Sequence, residues 1–240
     1  MNRNKLALTN TTNHNEQFNI YLHTIVHELR SPLVSIQGFI TLLAEDFSNN
    51  LPTEGTRYLE RIFSNLSRVE NLLTDITKLA KVSINEKDFV KISAREIIVA
   101  ALESFEMSLN HKGIDIIIQP GFPEVFCDSK AMIQVYTNLI SNAIKYAREN
   151  KGGKIEIGYS TEELFHKFYV KDNGVGIRVK DRNKVFGLFS RLQNKKDVNG
   201  SGLGLSIVKQ IIEGHGGEVW VVSRINQGTT IYFTLPKSSP

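Results

Sequence analysis

The segment His27–Leu33 (HELRSPL) places a histidine in a setting that suits chemistry. Glu28 follows His27 directly, so a carboxylate is available to polarise the imidazole or to accept its proton. Near neutral pH an unperturbed histidine is largely neutral, and its unprotonated ring nitrogen is a nucleophile. Pro32 removes a backbone donor and crowds the preceding turn, which predicts a loosened or bent helix just after His27. A lone exposed histidine is usually an ordinary surface residue, but this combination favours a nucleophile with an adjacent base.

A second set of polar residues recurs along one predicted helix, at Asn138, Asn142, Lys145 and Tyr146. Steps of three and four residues put these side chains on one helix face. Amide oxygens are neutral, hard ligands that suit Mg²⁺, which takes few protein groups and keeps several waters. The lysine one turn further on can neutralise phosphate charge. The pattern indicates a site for Mg²⁺ and phosphate, and the alternative is a solvated helix face.

Asp172 stands at the end of a predicted strand and is followed by Gly174 and Gly176. Glycine adopts positive φ readily and lets the backbone approach a flat ligand closely. A carboxylate at the strand end can accept a hydrogen bond from an exocyclic amine, and a mismatched base would leave that carboxylate unpaired. These residues favour recognition of a nucleotide base, and the alternative is a common Asn-Gly surface turn.

A third segment, Gly200–Leu205, opens a predicted helix and contains Ser201, Gly202 and Gly204. The free backbone N–H groups and the dipole at a helix N-terminus suit an anionic phosphate. One glycine-rich loop is a weak signal. Three polar segments in this order, each at the boundary of its own element, indicate a nucleotide site much more strongly.

Between the second and third segments lies Phe186–Arg191, followed by a polar run over 193–199. This run cannot pack by itself, which predicts a mobile lid anchored by Phe186 and Phe189. Arg191 is placed to reach the phosphates when the lid closes.

The elements that must carry the histidine are two long stretches of helical periodicity, over residues 18–43 and 59–80. They fill heptad positions a, d and e with apolar residues, and residues 47–53 between them predict a loop with Thr53 as N-cap. Helices joined by a short loop pack antiparallel. Because the apolar stripes are wider than one hairpin can cover, we predict a homodimeric four-helix bundle through residues 16–82. The alternative is a monomeric hairpin shielded by the downstream domain.

From Asp88 onward the pattern mixes helices and strands, which predicts an α+β sandwich with a sheet covered on one face. Strands 154–159 and 165–171 are close enough in sequence to form an antiparallel hairpin, which argues against a doubly wound Rossmann fold. Further strands are predicted at 113–119, 218–224 and 229–235. Helices are predicted from a Ser93 capping box through Ile97, Ala101, Phe105 and Leu109, from Asp128 to about Glu149, and over Leu203–Glu213.

The composition bounds the class of protein. A hydrophobic fraction of 41% supports a packed core, and one cysteine excludes a disulfide framework and a Cys-rich zinc site. No apolar run reaches the roughly 20 residues that span a bilayer, and the Asn/Thr-rich start lacks a signal-peptide core. The basic residues behind the net charge of +4 are scattered rather than gathered on one face. We therefore expect a soluble, cytoplasmic chain that contacts neither nucleic acid nor membrane.

In order and spacing, these motifs resemble the kinase core of a two-component sensor histidine kinase. Five segments carry the resemblance, which extends over residues 16–237: the H box His27–Pro32, the N box Asn138–Tyr146, the G1 box Asp172–Gly176, the F box Phe186–Phe189 and the G2 box Gly200–Gly204. The resemblance implies a polar linker (1–15), a dimerisation and histidine-phosphotransfer hairpin (16–87) and a catalytic ATP-binding domain of the GHKL type (88–240).

The resemblance also implies roles for individual residues. His27 would be the phosphoacceptor and Glu28 its base, Asn142 would ligate Mg²⁺, and Asp172 would bind the adenine amine. The residues expected to contact ATP are Asn138, Asn142, Lys145, Tyr146, Asp172, Gly174, Gly176, Arg191, Ser201, Gly202 and Gly204.

The reaction that follows is transfer of the γ-phosphoryl group of ATP to His27, and then to an aspartate of a response regulator receiver domain. An upstream sensor domain or protein would supply the signal. Two alternatives remain open: a GHKL ATPase of the chaperone or DNA-topology type, which leaves the His27 motif unexplained, and a non-catalytic pseudokinase dimer.

Overall fold

The computed structural model describes residues 3–47, 51–81, 88–147, 152–188, 190 and 202–237, with side chains in the first helix described from Ile25 onward. These residues form two compact units, one on each side of the segment 82–87, and each is described by itself below. Within the described ranges, no helix is both long enough and apolar enough to cross a membrane.

The first unit is a hairpin of two long helices, α1 (Arg3–Phe47) and α2 (Thr53–Lys81). Helix α1 begins inside the segment 1–15 that was interpreted as a linker, and it continues without interruption through Pro32. Helix α2 begins slightly earlier than predicted, because the N–H of Thr56 donates to the carbonyl of Pro52 (3.1 Å). Thr53 is therefore the first helical residue rather than the N-cap, since the preceding proline supplies the first acceptor.

The two helices bury only part of their apolar surface against each other. Val26 of α1 is 4% exposed, and Leu66 and Leu73 of α2 are also buried. Phe39 is 71% exposed, and other members of the predicted stripe that stay exposed are Leu29, Ile36, Leu43, Ile62 and Val69. The heptad e position Val26 thus faces the hairpin partner, while several a and d positions remain open, as the width of the stripe predicts.

The second unit is built on a five-stranded mixed sheet. Its strands are β2 (Ile114–Ile118), β4 (Gly153–Thr161), β5 (Phe165–Asp172), β6 (Val219–Arg224) and β7 (Gly228–Pro236). They lie in the order β2-β4-β5-β7-β6, with β2 parallel to β4 and all other pairs antiparallel. The predicted β4–β5 hairpin is confirmed, with Ile155 opposite Asp172.

Helices cover one face of this sheet and supply the core. The helices α4 (Glu106–Lys112), α5 (Ser129–Tyr146) and α6 (Gly204–Gly214) contact its strands, and α3 (Ala94–Glu103) packs against α5. Buried side chains of α5 and α6, such as Ile140 and Ile211, meet inward-facing strand residues such as Phe168 and Phe233. The α+β sandwich expected from the sequence is confirmed.

Two predicted details of this unit are wrong, and one feature was not predicted. The helix predicted from Ser93 through Leu109 breaks at Ser104, whose hydroxyl donates to the carbonyl of Ala101 (3.1 Å), and Phe105 forms a 3₁₀-type bond to Leu102 (2.9 Å). Helix α5 ends at Tyr146 instead of about Glu149, which lies outside the described residues. Two short strands, β1 (Phe89–Ser93) and β3 (Glu124–Asp128), were not predicted; they form a separate antiparallel pair.

A buried histidine connects that small sheet to the main helices. The Nε2 atom of His215, just past α6, accepts from the N–H of Asp128 (3.1 Å), and Nδ1 lies 2.7 Å from the carbonyl of Ile211. Because a carbonyl only accepts, Nδ1 carries the proton and the ring is neutral. The ring stacks on Phe89 with centroids 4.7 Å apart. Burial lowers the pKa of His215, which keeps this neutral form.

Candidate functional site

His27 lies on the exposed surface of α1, and Glu28 beside it is exposed as well. The exposed Leu29 follows directly. The imidazole is therefore accessible to a reacting partner, and the hairpin supplies a rigid helical support without enclosing it. This is the outward orientation that the heptad pattern predicts.

The predicted polar face of α5 is confirmed as one continuous helix surface, because Asn138, Asn142, Lys145 and Tyr146 all lie within α5. Asn138 and Asn142 are half-buried, and Lys145 is exposed. The Nδ2 atom of Asn138 is buried and donates to no group of the described chain. A buried amide donor without a partner is costly, so this atom is suited to a ligand oxygen or a water.

Both ends of α5 are fixed by hydrogen bonds. At its start, Asp128 caps the helix as predicted, and its carboxylate accepts from the N–H groups of Lys130 (3.0 Å) and Ala131 (3.1 Å). At its end, the Lys112 ammonium donates to the carbonyl of Ile144 (3.0 Å). This contact satisfies a terminal carbonyl and places positive charge at the negative end of the helix dipole.

Asp172 ends β5 with its carboxylate largely buried. Its Oδ1 atom accepts from two backbone N–H groups, those of Gly174 (2.8 Å) and Thr229 (3.2 Å). The second oxygen, Oδ2, accepts no hydrogen bond from the described residues. Burial raises the pKa of Asp172 to about 6, while the two backbone hydrogen bonds oppose the rise. One oxygen is thus held by the protein, and the other is available to a donor such as an exocyclic amine.

The glycine loop after Asp172 is seated against the chain's own backbone. A Cβ at Gly174 would overlap the carbonyl oxygen of Tyr146, and one at Gly176 would overlap that of Arg224. Gly176 also adopts a φ of 71°. The N–H of Val175 donates to Tyr146 O (3.2 Å), which joins the loop to the end of α5. The two glycines are therefore required by internal packing, whereas the sequence suggested close approach to a ligand.

Asn173 locks the same loop from its other side. Its Oδ1 accepts from the N–H of Lys154 (2.9 Å), and its Nδ2 donates to the carbonyl of Gly152 (2.7 Å). Both contacts are with the start of β4. Asn173, which the sequence alone could assign to a common Asn-Gly turn, thus anchors the loop to the start of β4.

The glycine-rich start of α6 lies beside the polar face of α5. A Cβ at Gly204 would come within 3.5 Å of Asn138 Oδ1, so the two elements approach closely at this point. Gly202, with a φ of 80°, and the buried Leu203 lead into the helix. Ser201, Arg191, Phe189 and the lid predicted over 193–199 lie outside the described residues.

The structure therefore brings together three of the predicted segments: the α5 face, the Asp172 loop and the start of α6. The cluster combines a buried amide donor, a carboxylate with one open oxygen, and helix N–H groups suited to phosphate. These groups can accept a hydrogen bond from an amine and donate hydrogen bonds to phosphate oxygens. His27 belongs to the other unit, the hairpin.

Comparison with known families agrees with both units. The family described as "His Kinase A (phospho-acceptor) domain" matches residues 20–83. The family described as "Histidine kinase-, DNA gyrase B-, and HSP90-like ATPase" matches residues 127–239. The chain belongs to the two-component sensor histidine kinases. Its second unit is an ATP-binding domain of the GHKL type.

Individual relatives support the same assignment. Methanogenesis regulatory histidine kinase FilI of Methanothrix harundinacea is 36% identical over 225 residues, which are 92% of this chain and 25% of that protein. The crystal structure of histidine kinase ThkA in complex with response regulator protein TrrA aligns with a TM-score of 0.64 and 26% identity, covering 99% of this chain and 64% of that one. Full-length ShkA in complex with AMPPNP shares the fold, with a TM-score of 0.65, 24% identity and coverage of 92% and 46%. The chain spans 25% to 30% of the length of the first curated relatives that it matches.

Sequence reasoning missed the residues that support Asp172 from β6 and β7. Thr229 donates to its carboxylate, and the buried Ser223 contacts the hydroxyl of Thr229 (2.9 Å). Serine and threonine in a strand carry no motif of their own. Only the pairing of Asp172 with Thr229 across β5 and β7, which is a matter of register, brings them to the site.

Proposed function

We propose that this chain is the catalytic core of a sensor kinase that transfers the γ-phosphoryl group of ATP to His27 and then to an aspartate of a response regulator. The observation that carries the proposal is the combination, in one chain, of an exposed histidine on a phosphoacceptor hairpin and a nucleotide-type cluster around Asp172.

The donor and acceptor groups fit ATP at three points. The open Oδ2 of ionised Asp172 accepts from the exocyclic amine of adenine, which excludes guanine because its carbonyl would face the carboxylate. The N–H groups at the start of α6 and the unpartnered Nδ2 of Asn138 donate to phosphate oxygens. Lys145, Tyr146, Arg191 and Ser201 complete the expected contacts. The bound AMPPNP of the related ShkA structure is in keeping with this assignment.

Mg²⁺ is expected at Asn142. The described residues contain no group of three or more His, Cys, Asp or Glu side chains that would hold a metal by themselves. A half-buried amide oxygen fits a cation that also takes phosphate oxygens and waters as ligands. When bound, the ion would supply charge neutralisation for the phosphates, and the role of Asn142 is to hold it against the polar face of α5.

The transfer step is an in-line displacement. The unprotonated ring nitrogen of His27 forms a bond to the γ-phosphorus as the bond between that phosphorus and the β,γ-bridging oxygen breaks, so ADP leaves with the electron pair. Glu28 orients the ring or accepts the proton of its other nitrogen. Catalysis is chiefly positioning and charge neutralisation. Because ATP is the donor in this proposal, we expect the core to act in the cytoplasm.

The partners follow from the exposed surface of the hairpin. The open apolar face around Phe39 fits a second copy of the same hairpin, because a four-helix bundle would bury the stripe that one hairpin leaves exposed. We expect the receiver domain of a response regulator to dock on the bundle near His27, as in a complex of the ThkA–TrrA type. The curated relatives are much longer and include phytochromes, which supports an upstream sensor.

The deciding experiment is incubation with γ-labelled ATP and Mg²⁺. The wild-type chain should acquire an acid-labile, base-stable label, and His27→Gln should acquire none while still binding ATP. His111→Gln, which changes an exposed histidine of α4, is the matched control and should label normally. Asn142→Ala should lose both the label and the Mg²⁺-dependent part of ATP affinity.

Two outcomes would contradict the proposal. A label that survives on His27→Gln would refute the phosphoacceptor assignment. Steady ATP hydrolysis without any phosphoprotein would favour the chaperone or topology class of GHKL ATPase instead.

A further inference from the structure

Ser223, on β6, is a buried hydroxyl at a junction of three segments. Its Oγ lies 2.8 Å from the N–H of Ile177, 2.8 Å from the carbonyl of Gly228 and 2.9 Å from the hydroxyl of Thr229. Ile177 follows the glycine loop, and Gly228 and Thr229 begin β7. One serine hydroxyl therefore links Ile177 and the start of β7 to β6 through three hydrogen bonds.

The direction of each hydrogen bond follows from the inventory of donors. A serine hydroxyl has one proton, and a carbonyl can only accept, so the proton of Ser223 goes to Gly228 O. The two lone pairs of Ser223 then accept from Ile177 N–H and from the hydroxyl of Thr229. Every capacity of Ser223 Oγ is used, which fixes the exit of the glycine loop to the start of β7.

This junction leads directly to Asp172. The backbone N–H of Thr229 is one of the two donors to Asp172 Oδ1, and the other is Gly174 in the glycine loop. Ser223 therefore contacts the same two segments that hold the carboxylate. Its own carbonyl also accepts from the guanidinium of Arg182, in the 3₁₀ helix Val179–Lys184 that leads towards Phe186.

We infer that Ser223 is a positioning residue for base recognition: its hydroxyl holds the glycine loop and β7 in the register that presents Asp172 to the nucleotide base. The inference rests on the proposed function, because it assumes that Asp172 accepts from the adenine amine. Ser223 itself contacts no nucleotide in this assignment and acts through Thr229 and Ile177.

If Ser223 positions Asp172, loss of its hydroxyl should change the pKa of Asp172 and the preference for adenine, and not only the stability of the domain. If Thr229 N–H moves away, Asp172 loses a donor that favours its ionised form, and its pKa rises above about 6. Adenine binding then fails at a higher pH than in the wild type, and discrimination against guanine weakens. Charged side chains on the elements packed around Asp172 are Lys145, Lys154, Glu156, Lys171 and Arg224, of which Lys154 and Lys171 both pair with Glu156.

The test compares Ser223→Ala with Thr234→Val in the 240-residue chain. Thr234 is also on β7 and its hydroxyl accepts from the N–H of Glu218 (2.9 Å), but it lies at the other end of the strand from Asp172. Affinity for ADP and for GDP is measured by calorimetry at several pH values from 5 to 8, and stability by urea denaturation.

We expect Ser223→Ala to weaken ADP binding about tenfold near pH 7, to reduce the ADP-to-GDP preference, and to move the pH midpoint of binding upward. Ser223→Thr keeps a hydroxyl and should restore much of the affinity. Thr234→Val should lose stability while its ADP affinity, base preference and pH midpoint stay at wild-type values.

Ser223→Ala with an unchanged pH midpoint and base preference would overturn the inference, even if the variant is less stable. The same shifts in Thr234→Val would overturn it too, because they would then follow from general destabilisation. A wild-type chain without preference for ADP over GDP would instead refute the proposed role of Asp172, so the two failures are distinguishable.

Discussion

The two units of this chain differ in how far they expose their reactive groups to solvent. In the hairpin, His27 is exposed and much of the apolar stripe is uncovered. In the catalytic unit, Asp172 is largely buried, two backbone donors hold one of its oxygens, and the surrounding loop is fixed from three sides.

The difference matches the role that is proposed for each group. A phosphoacceptor has to meet two large partners in turn, a nucleotide-bearing domain and a receiver domain, so it must project from a rigid support. A base-recognising carboxylate gains selectivity from burial, because a mismatched base leaves a desolvated group unpaired. Burial raises the pKa of Asp172 to about 6, so selectivity is obtained at some expense of stability.

The largest effect is expected from Asp172→Asn. Adenine affinity should fall by about 100-fold or more, since the amide is uncharged and its oxygen can face the adenine amine only by turning away from Gly174 and Thr229. The unliganded variant should nevertheless be more stable near pH 7.5, by about 1–3 kcal/mol, because no buried charge remains. Calorimetry and urea denaturation measure the two effects.

Asp115→Asn on β2 is the control, because Asp115 is exposed and should change neither quantity. Lower stability of Asp172→Asn near pH 7.5 would show that the buried carboxylate stabilises the unliganded domain, contrary to this prediction.

The next effect concerns the exposed face of the hairpin. Phe39→Asp should dissociate the proposed dimer, because a charge would be buried in the apolar contact between the two hairpins. Ser64→Asp introduces the same charge at an exposed position of α2, on the helix face opposite the buried Leu66 and Leu73. This variant should remain dimeric. Light scattering at micromolar concentration separates the cases, and a monomeric wild type would refute the dimer outright.

A smaller effect is expected from pH in the catalytic unit. The pKa of His215 is lowered in the folded state, so its contribution to stability is complete above the unfolded value near 6.5 and is lost as pH falls below it. Asp172 has the opposite sign: its raised pKa makes the unliganded domain gain stability as pH falls through about 6. The two groups therefore oppose each other below neutral pH.

Asp172→Asn removes the stabilisation that the wild type gains when Asp172 is protonated. Its unfolding free energy should decline more steeply between about pH 7 and 5.5 than that of the wild type, by at most about 1.4 kcal/mol per pH unit for one group. Adding His215→Gln should flatten the decline. His166, whose pKa is also lowered by burial, acts in the same direction, so the slope is compared in a His166→Asn background. A slope that His215→Gln leaves unchanged would refute the assignment.

The sequence predicted the long periodic helices well, because periodicity is a local signal. The Asp128 cap and the β4–β5 hairpin are confirmed for that reason. The break at Ser104 was missed because an apolar repeat continues across it, although a serine hydroxyl competes there for a helix carbonyl. Ser223 and Thr229 could not be found, since their importance depends on strand register.

The smallest expected effect is a change in the free energy of unfolding of the catalytic unit, caused by a substitution at Tyr136. Tyr136 is fully buried on α5 with its hydroxyl unpartnered, and its ring meets Phe233 edge to face at 5.7 Å. Tyr136→Phe keeps that ring contact and removes the unsatisfied group, so the free energy of unfolding should rise by about 1 kcal/mol. Tyr159→Phe is the matched opposite, because the hydroxyl of Tyr159 donates to Gly121 O and loss of that hydrogen bond should destabilise the domain.

A dimeric hairpin unfolds at a temperature that depends on protein concentration, whereas the unfolding temperature of a self-contained domain does not. The Tyr136→Phe shift should therefore appear only in the concentration-independent transition, and a shift in the other transition would mean that the two units do not unfold separately.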